Sequence, residues 1–290
     1  MSQEIKVTTT LIKSLIVPRL ADSKKGDNGI VLIVGGNKIY HGAPILASTA
    51  AMRCGTDLVY TAVPRSNILS TRAISPNAIV LPLPDDKLTL GAANRLTSML
   101  PKRPDSAAVG MGMTIARPEA LKALVKRLKI NGTRLLLDAA ALIPAILDDI
   151  SGTDTIITPH PGEYKRIFGE DVGKDEELKL MNVQKMTQKY QITIVLKGPV
   201  NVICGSNNKY ALIKRSTPAM TVGGTGDILS GLAAGFLSKM NPFDACLLGV
   251  YFNGAAASLA YRRLGLHIVA TDIIDEIPCV LKEFDAVEIA

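Results

Sequence analysis

Seven short aliphatic runs recur along the chain with helical segments between them: VLIV at 31–34, LVYTAV at 58–63, AIVLPL at 78–83, AAVGM at 107–111, RLLLD at 134–138, DTIIT at 154–158 and TIVLK at 193–197. Strands this continuously apolar must be covered on both faces. Alternation with helices supplies that cover, so the expected fold class is α/β: a doubly wound, mostly parallel sheet with helices on both faces. The rhythm then changes at VNVIC (200–204) and YALIKR (210–215), which flank GSNNK and read as a hairpin at an antiparallel sheet edge. After residue 226 the chain turns helical. Ile228, Leu232 and Phe236 share one face there, and Gly231 and Gly235 remove side chains where another backbone must come close. No Pro/Ser-rich linker or repeat divides residues 1–290, so one domain is expected.

Only 4% of residues are aromatic and there is no Trp, which leaves aliphatic, alanine and methionine side chains to pack helices closely on the sheet. The formal charge of +7 could indicate an acidic partner, but 33 basic residues are interleaved with 26 acids. Without an arginine-rich tract or an aromatic–basic module, nucleic acid is not the expected partner; a small anion such as a nucleotide explains the excess. Cys54, Cys204, Cys246 and Cys279 and the three histidines at 41, 160 and 267 lack zinc-site spacing, and read as reduced thiols and isolated imidazoles of a cytoplasmic protein. The polar start MSQEIKVTTT is no signal peptide. No uninterrupted apolar run approaches the roughly 18 residues of a membrane span, so no membrane association is expected.

In an open parallel sheet the ligand lies at the carboxyl ends of the strands. The unusual residues cluster at five such ends: GGNKIYHGAP, GMGM, DAAAL, TPHPGE and KGPVN. The phosphate-loop pattern GxxxxGK[ST] is absent, and GMGMTI (110–115) has Ile115 where a dinucleotide fingerprint needs its third glycine. TVGGTGDILSG (221–231) offers the phosphate site instead, because backbone amides across Gly223, Gly224, Thr225 and Gly226 can converge on an anion at a helix start. Asp227 would repel that anion unless it faced the acceptor, where it can take a hydroxyl proton during phosphoryl transfer; an aspartate here can also simply cap the helix. Lys197-Gly198, followed by Asn201, closes a strand tightly enough for a nucleotide to lie against it, or forms an ordinary turn. His160, fixed between two prolines, is a ligand contact or a structural histidine. Glu163 can orient a magnesium-bound water or cap its helix. Gly42-Ala43 leaves room for a flat ring, although Ala47, Ala50 and Ala51 also suit close helix packing.

Taken together, GGNKIYHGAPILA, AVGMGM, LLLDAAAL, ITPHPGEYKRIFG, VLKGP and MTVGGTGDILSG resemble, in that order and over about residues 25–285, the ADP- or ATP-dependent NAD(P)H-hydrate dehydratases of the ribokinase-like superfamily. GGTGD alone would also admit the thiazole and pyrimidine kinases of that superfamily. The resemblance implies repair of NADH or NADPH that has gained water across a ring double bond. Asp227 would be the base, with Ala43, Gly112 and His160 joining it to hold the hydrated dinucleotide. Lys197, Gly198, Pro199, Val200, Asn201 and Gly226 would hold ADP or ATP, and Mg²⁺ would bridge the phosphates. It also implies a homotetramer, for which the alanine-rich helix near 44–53 offers a face. Two features depart from the family pattern: Asp138 is followed by Ala139 rather than leading to a second acid, and Ala219 stands where a glycine is common. Too few residues precede the shared region for the epimerase domain that many relatives carry, so a separate epimerase is the expected source of the S hydrate. The competing readings are a small-molecule kinase that leaves the phosphate on its product, and a nucleotide-binding regulator without catalysis.

Overall fold

The computed structural model describes residues 2–214 and 216–289. Its strands are β1 (Gln3–Glu4), β2 (Arg19–Leu20), β3 (Ile30–Val34), β4 (Leu58–Pro64), β5 (Ile79–Leu83), β6 (Ser106–Val109), β7 (Arg134–Leu137), β8 (Thr155–Ile157), β9 (Thr193–Leu196), β10 (Val200–Cys204), β11 (Lys209–Lys214) and β12 (Val287–Glu288). The helices are α1 (Thr9–Leu15), α2 (Gly42–Arg53), α3 (Ile68–Ile74), α4 (Leu90–Met99), α5 (Pro118–Ile130), α6 (Leu147–Ile150), α7 (Pro161–Phe168), α8 (Glu176–Tyr190), α9 (Thr225–Leu237), α10 (Pro242–Leu264) and α11 (Ala270–Leu281). Ten strands form one sheet in the order β1-β11-β10-β9-β8-β7-β6-β3-β4-β5. From β9 through β5 the pairs are parallel; the expected β10–β11 hairpin forms and is antiparallel, but it is not the sheet's edge, because β1 pairs in parallel with β11 outside it.

Residue alternation explains how both faces are buried. Val31 and Ile33 point into a core shared with α2, α9, α10 and α11, whereas Leu32 and Val34 point into another built with α4, α5, α7 and α8. Every residue of β3 is buried, which accounts for its uninterrupted apolar run. The first core brings two helices into close contact. A Cβ at Gly231 would overlap the Ala47 carbonyl, and one at Gly235 the Cys54 sulfur, so these glycines let α9 lie against α2.

That packing consumes Ala47, Ala50 and Ala51, all fully buried, so the alanine face of α2 is an internal surface and not a subunit contact. The sequence also understated one apolar segment. Pro242–His267 is long and apolar enough to cross a bilayer by length and composition, but 67% of that window is buried in the fold. It packs between α9 and α11 as a core helix. Three cysteines are buried and Cys279 is exposed, all as free thiols.

Strand order also fixes where a ligand can enter. From β3 the chain runs outward through β4 and β5, then returns to β6 on the other side of β3 and continues through β9. Connections leave β3 and β6 in opposite directions, and a crevice opens at their carboxyl ends.

Candidate active site

Helix α9 carries the centre of the site. Its N-cap is Gly224 at φ +97°, with Thr225 as the first helical residue, so Asp227 is in the first turn and does not cap the helix. Gly224 is confined as well as left-handed, because a Cβ there would come within 2.7 Å of Leu46 and 2.8 Å of Ala270. The first helical amides have no acceptor one turn back, so the N–H groups of Thr225, Gly226 and Asp227 are free for an anion at the positive end of the helix dipole. The Thr225 hydroxyl is turned away, donating to the carbonyls of Met220 (3.2 Å) and Val222 (3.3 Å); only its amide can serve an anion.

Below this loop lies a buried charge cluster. Lys197 Nζ donates to Asp138 Oδ1 at 2.8 Å and lies 3.5 Å from Glu163 Oε2. Asp138 Oδ2 accepts from the Ser230 hydroxyl at 2.8 Å, one turn beyond Asp227. Burial opposes the charge on Lys197, but Asp138 and Glu163 overcome it and hold the ammonium above its ordinary pKa. At half-buried Asp227 burial wins instead. Burial, reinforced by the Asp138 charge and only partly offset by Lys197, raises its carboxyl to about 7. A carboxylate of that basicity is matched to removing a proton near neutral pH.

Glu163 and His160 form a reciprocal helix cap. The His160 amide donates to Glu163 Oε2 at 2.8 Å, while His160 Nδ1 accepts from the amides of Gly162 (3.0 Å) and Glu163 (3.3 Å). With Nδ1 accepting, the neutral ring carries its proton on Nε2, which lies 3.6 Å from Glu163 Oε2, while about half of the side chain stays exposed. Of the alternatives the sequence offers for these two residues, the structure contains the capping one: both cap α7. Glu163 Oε1 makes no hydrogen bond among the described residues.

Next to the anion loop is a cavity of about 520 Å³, lined on one side by Lys197, Gly198, Asn201 and Gly226 and on the other by Tyr251, Asn253 and Ser258. Asn201 works mainly on the turn, its Oδ1 accepting from the Gly198 amide (3.4 Å) and its Nδ2 donating to the Ile213 carbonyl (3.3 Å). Pro199 and Val200 line a separate depression with Pro161 and Lys174. Ala43 and Gly112 meet at the β3–β6 crevice: a Cβ at Gly112 (φ +61°) would lie 2.9 Å from the Ala43 Cβ.

Sequence reasoning missed two residues of this site. Asp138 stood out only as a departure from a motif, because its partner lies 59 positions away. Asn253 sits inside an apolar helical run; its Nδ2 donates to the Thr225 carbonyl at 3.2 Å, and its buried Oδ1 has no partner among the described residues. A buried asparagine in such a run was the available signal.

A doubly wound sheet with a glycine-capped helix and a first-turn aspartate at its carboxyl edge defines the ribokinase-like class, and solved structures agree. A ribokinase-like superfamily protein from Enterococcus faecalis V583 superposes with a TM-score of 0.80 at 23% identity, covering 97% of this chain and 96% of that one. Within the class the assignment narrows, since residues 31–279 match the family model of the NAD(P)H-hydrate dehydratases and the chain belongs to that family. The ADP-dependent (S)-NAD(P)H-hydrate dehydratase of Nitrosopumilus maritimus (strain SCM1) is 49% identical, over 97% of this chain and 98% of its own length. Its counterpart in Cenarchaeum symbiosum (strain A) is 50% identical, over 96% of each chain. The ADP/ATP-dependent NAD(P)H-hydrate dehydratase of Bacillus subtilis, co-crystallized with ATP and Mg²⁺, superposes with a TM-score of 0.83 at 27% identity, covering 96% of this chain and 98% of that one.

Proposed function

We propose that the chain converts the S hydrates of NADH and NADPH back to the reduced dinucleotides, with ADP as phosphoryl donor. The observation carrying this reading is the pairing of an anion-binding helix start with a first-turn aspartate whose pKa is raised to about 7. The full-length similarity to enzymes named for this reaction supports it.

Asp227 takes the proton of the ring hydroxyl as that oxygen attacks the terminal phosphorus of ADP. The bond from phosphorus to the bridging oxygen breaks, AMP departs, and the amides of Thr225, Gly226 and Asp227, at the end of the Gly223–Gly226 loop, hold the transferred group. The carbon–oxygen bond then breaks, releasing phosphate, while the ring-nitrogen lone pair compensates the carbon left behind. Loss of a proton from the adjacent carbon restores the double bond. ADP and the hydrate therefore yield AMP, phosphate and the reduced dinucleotide, and a kinase-like site performs a net dehydration. Ala43, Gly112 and the exposed edge of His160 hold the dinucleotide; Lys197, Gly198, Asn201 and Gly226 hold the donor, with Pro199 and Val200 shaping the turn between them.

The donor set fits a magnesium ion carried on the nucleotide rather than caged by protein. Among the described residues no three His, Cys, Asp or Glu side chains form a metal cluster, and both Asp138 oxygens are committed. Glu163, with Oε1 unused, would meet such an ion through a water. Mg²⁺ so bound would spread the charge developing on the phosphates. A cytoplasmic homotetramer with a functional link to an NAD(P)H-hydrate epimerase completes the reading.

The test mixes purified protein and chemically hydrated NADH with Mg²⁺ and either ADP or ATP, and follows reduced-nicotinamide absorbance alongside free phosphate. Recovery of absorbance with matching phosphate release is expected, faster with ADP. Accumulation of a phosphorylated acceptor would instead indicate a kinase, and nucleotide binding without turnover a regulator.

A further inference from the structure

The crevice between β3 and β6 is backed by glycines and by Ala43, which give shape but little attraction for a ring. The loop entering it supplies what they lack. Ile39 and Tyr40 expose 76% and 62% of their surface, unusual for large apolar groups beside a crevice. Their exposure is not that of a loose loop. Asn37 Oδ1 accepts from the amides of Ile39 (2.8 Å) and Tyr40 (2.7 Å), its Nδ2 donates to Thr114 Oγ1 (3.0 Å), and its carbonyl accepts from the buried Asn67 Nδ2 (3.0 Å). Asn37 thereby ties the end of β3 to the segment after β6. Tyr40 itself lies against Gly112, where a Cβ would approach the Tyr40 carbonyl to 2.8 Å and the Tyr40 Cβ to 3.0 Å. Gly112 thus makes room for this loop, and Ala43 packs against the same spot.

We infer that Tyr40, with Ile39 beside it, forms an apolar platform on which a heterocyclic ring of the hydrated dinucleotide packs. The inference rests on the proposed substrate, and three observations carry it. The pair stands at the point where the strand order reverses, it adjoins Ala43 and Gly112, two of the residues assigned to the dinucleotide, and hydrogen bonds hold its loop before any ligand arrives. Such a platform costs little ordering entropy on binding. Two side chains are also far too small a patch for a stable subunit interface, which needs about 1,000 Å² in total.

Steady-state kinetics on hydrated NADH at saturating ADP and Mg²⁺, with ADP binding measured separately by calorimetry, test the inference. Tyr40→Ala is expected to raise KM for the hydrate about tenfold or more, the usual scale for losing a ring stacked on an aromatic side chain, while ADP affinity and melting temperature hold. Tyr40→Phe should stay within about twofold of wild type, because the packing needs the ring and not the hydroxyl. An unchanged KM in Tyr40→Ala overturns the platform while leaving the function intact. Equal weakening of ADP overturns it in favour of a general loss of site structure, and a smaller particle on sedimentation in favour of a subunit contact. Wild-type protein inert toward hydrated NADH removes the proposed function and the platform with it.

Discussion

The two halves of the site are built from opposite materials. On the side proposed for the phosphoryl donor, around β9 and α9, Lys197 is locked between Asp138 and Glu163 beside a cavity of about 520 Å³. On the side proposed for the acceptor, between β3 and β6, the surface is backbone and small residues: left-handed glycines at 36, 110 and 112, Ala43, and one hydrogen-bonded loop carrying Tyr40. A nucleotide's phosphates carry most of its charge, and a half-site for them needs electrostatics fixed in advance. A hydrated ring presents no such charge, so its half-site selects by shape. Asp227 stands where the halves meet, its carboxyl raised to about 7 by burial first and by the Asp138 charge second.

Asp227→Asn strikes both halves and should have the largest effect. Turnover is expected to fall about 10²–10⁴-fold, the usual range for a lost positioned base, with ADP affinity kept. Single-turnover phosphate release measures the first and calorimetry the second; unimpaired turnover would remove Asp227 from the chemistry. The raised carboxyl also fixes the pH behaviour. For wild type, kcat/KM should climb with pH and level off above about 7 rather than about 4. Because the folded state holds this proton more tightly than the unfolded chain, stability is lost as pH rises through that window. The Asn variant carries no such loss. It should melt higher than wild type above pH 7, with the gap closing as pH falls toward 4.

Lys197→Met isolates the donor half. Removing one member of a buried ion pair leaves Asp138 uncompensated, and a loss of about 3–5 kcal/mol is expected in chemical denaturation. Adding Asp138→Asn should recover much of it, since two neutral groups replace a stranded charge. A Lys197→Met protein as stable as wild type would show that the cluster is solvated and that the contrast between the halves is not one of buried charge.

How much of this was legible in the sequence follows the same division. The shape-built half was visible, because glycines and short apolar runs act locally: VLIV followed by GGNKIYHGAP gives strand, turn and helix start within one stretch. Gly231 and Gly235 likewise announced a close helix contact that the fold contains. The charge-built half was largely hidden. Lys197 looks like the end of a strand until the fold brings Asp138 to it, and Ser230 looks like one polar residue in an apolar helix until it meets the same carboxylate. The two-residue strands β2 and β12, at opposite ends of the chain, were invisible for a related reason, since two residues carry no periodicity.

His160 gives the finest test because it belongs to both halves. Its ring caps α7 through Nδ1, its amide is held by Glu163 of the charge cluster, and its Nε2 lies 3.6 Å from Glu163 Oε2 on a half-exposed side chain. His160→Ala removes cap and edge together, so it should cost about 1 kcal/mol of stability as well as dinucleotide affinity, with ADP affected less. His160→Asn separates the two, because the shorter side chain can still accept from the helix amides but presents no imidazole. If the edge contacts the dinucleotide, the Asn variant should melt like wild type and yet keep the raised KM for the hydrate. If instead Asn restores KM along with the melting temperature, the histidine serves the acceptor half only by placing Glu163, and the contact with the substrate belongs to the backbone around it.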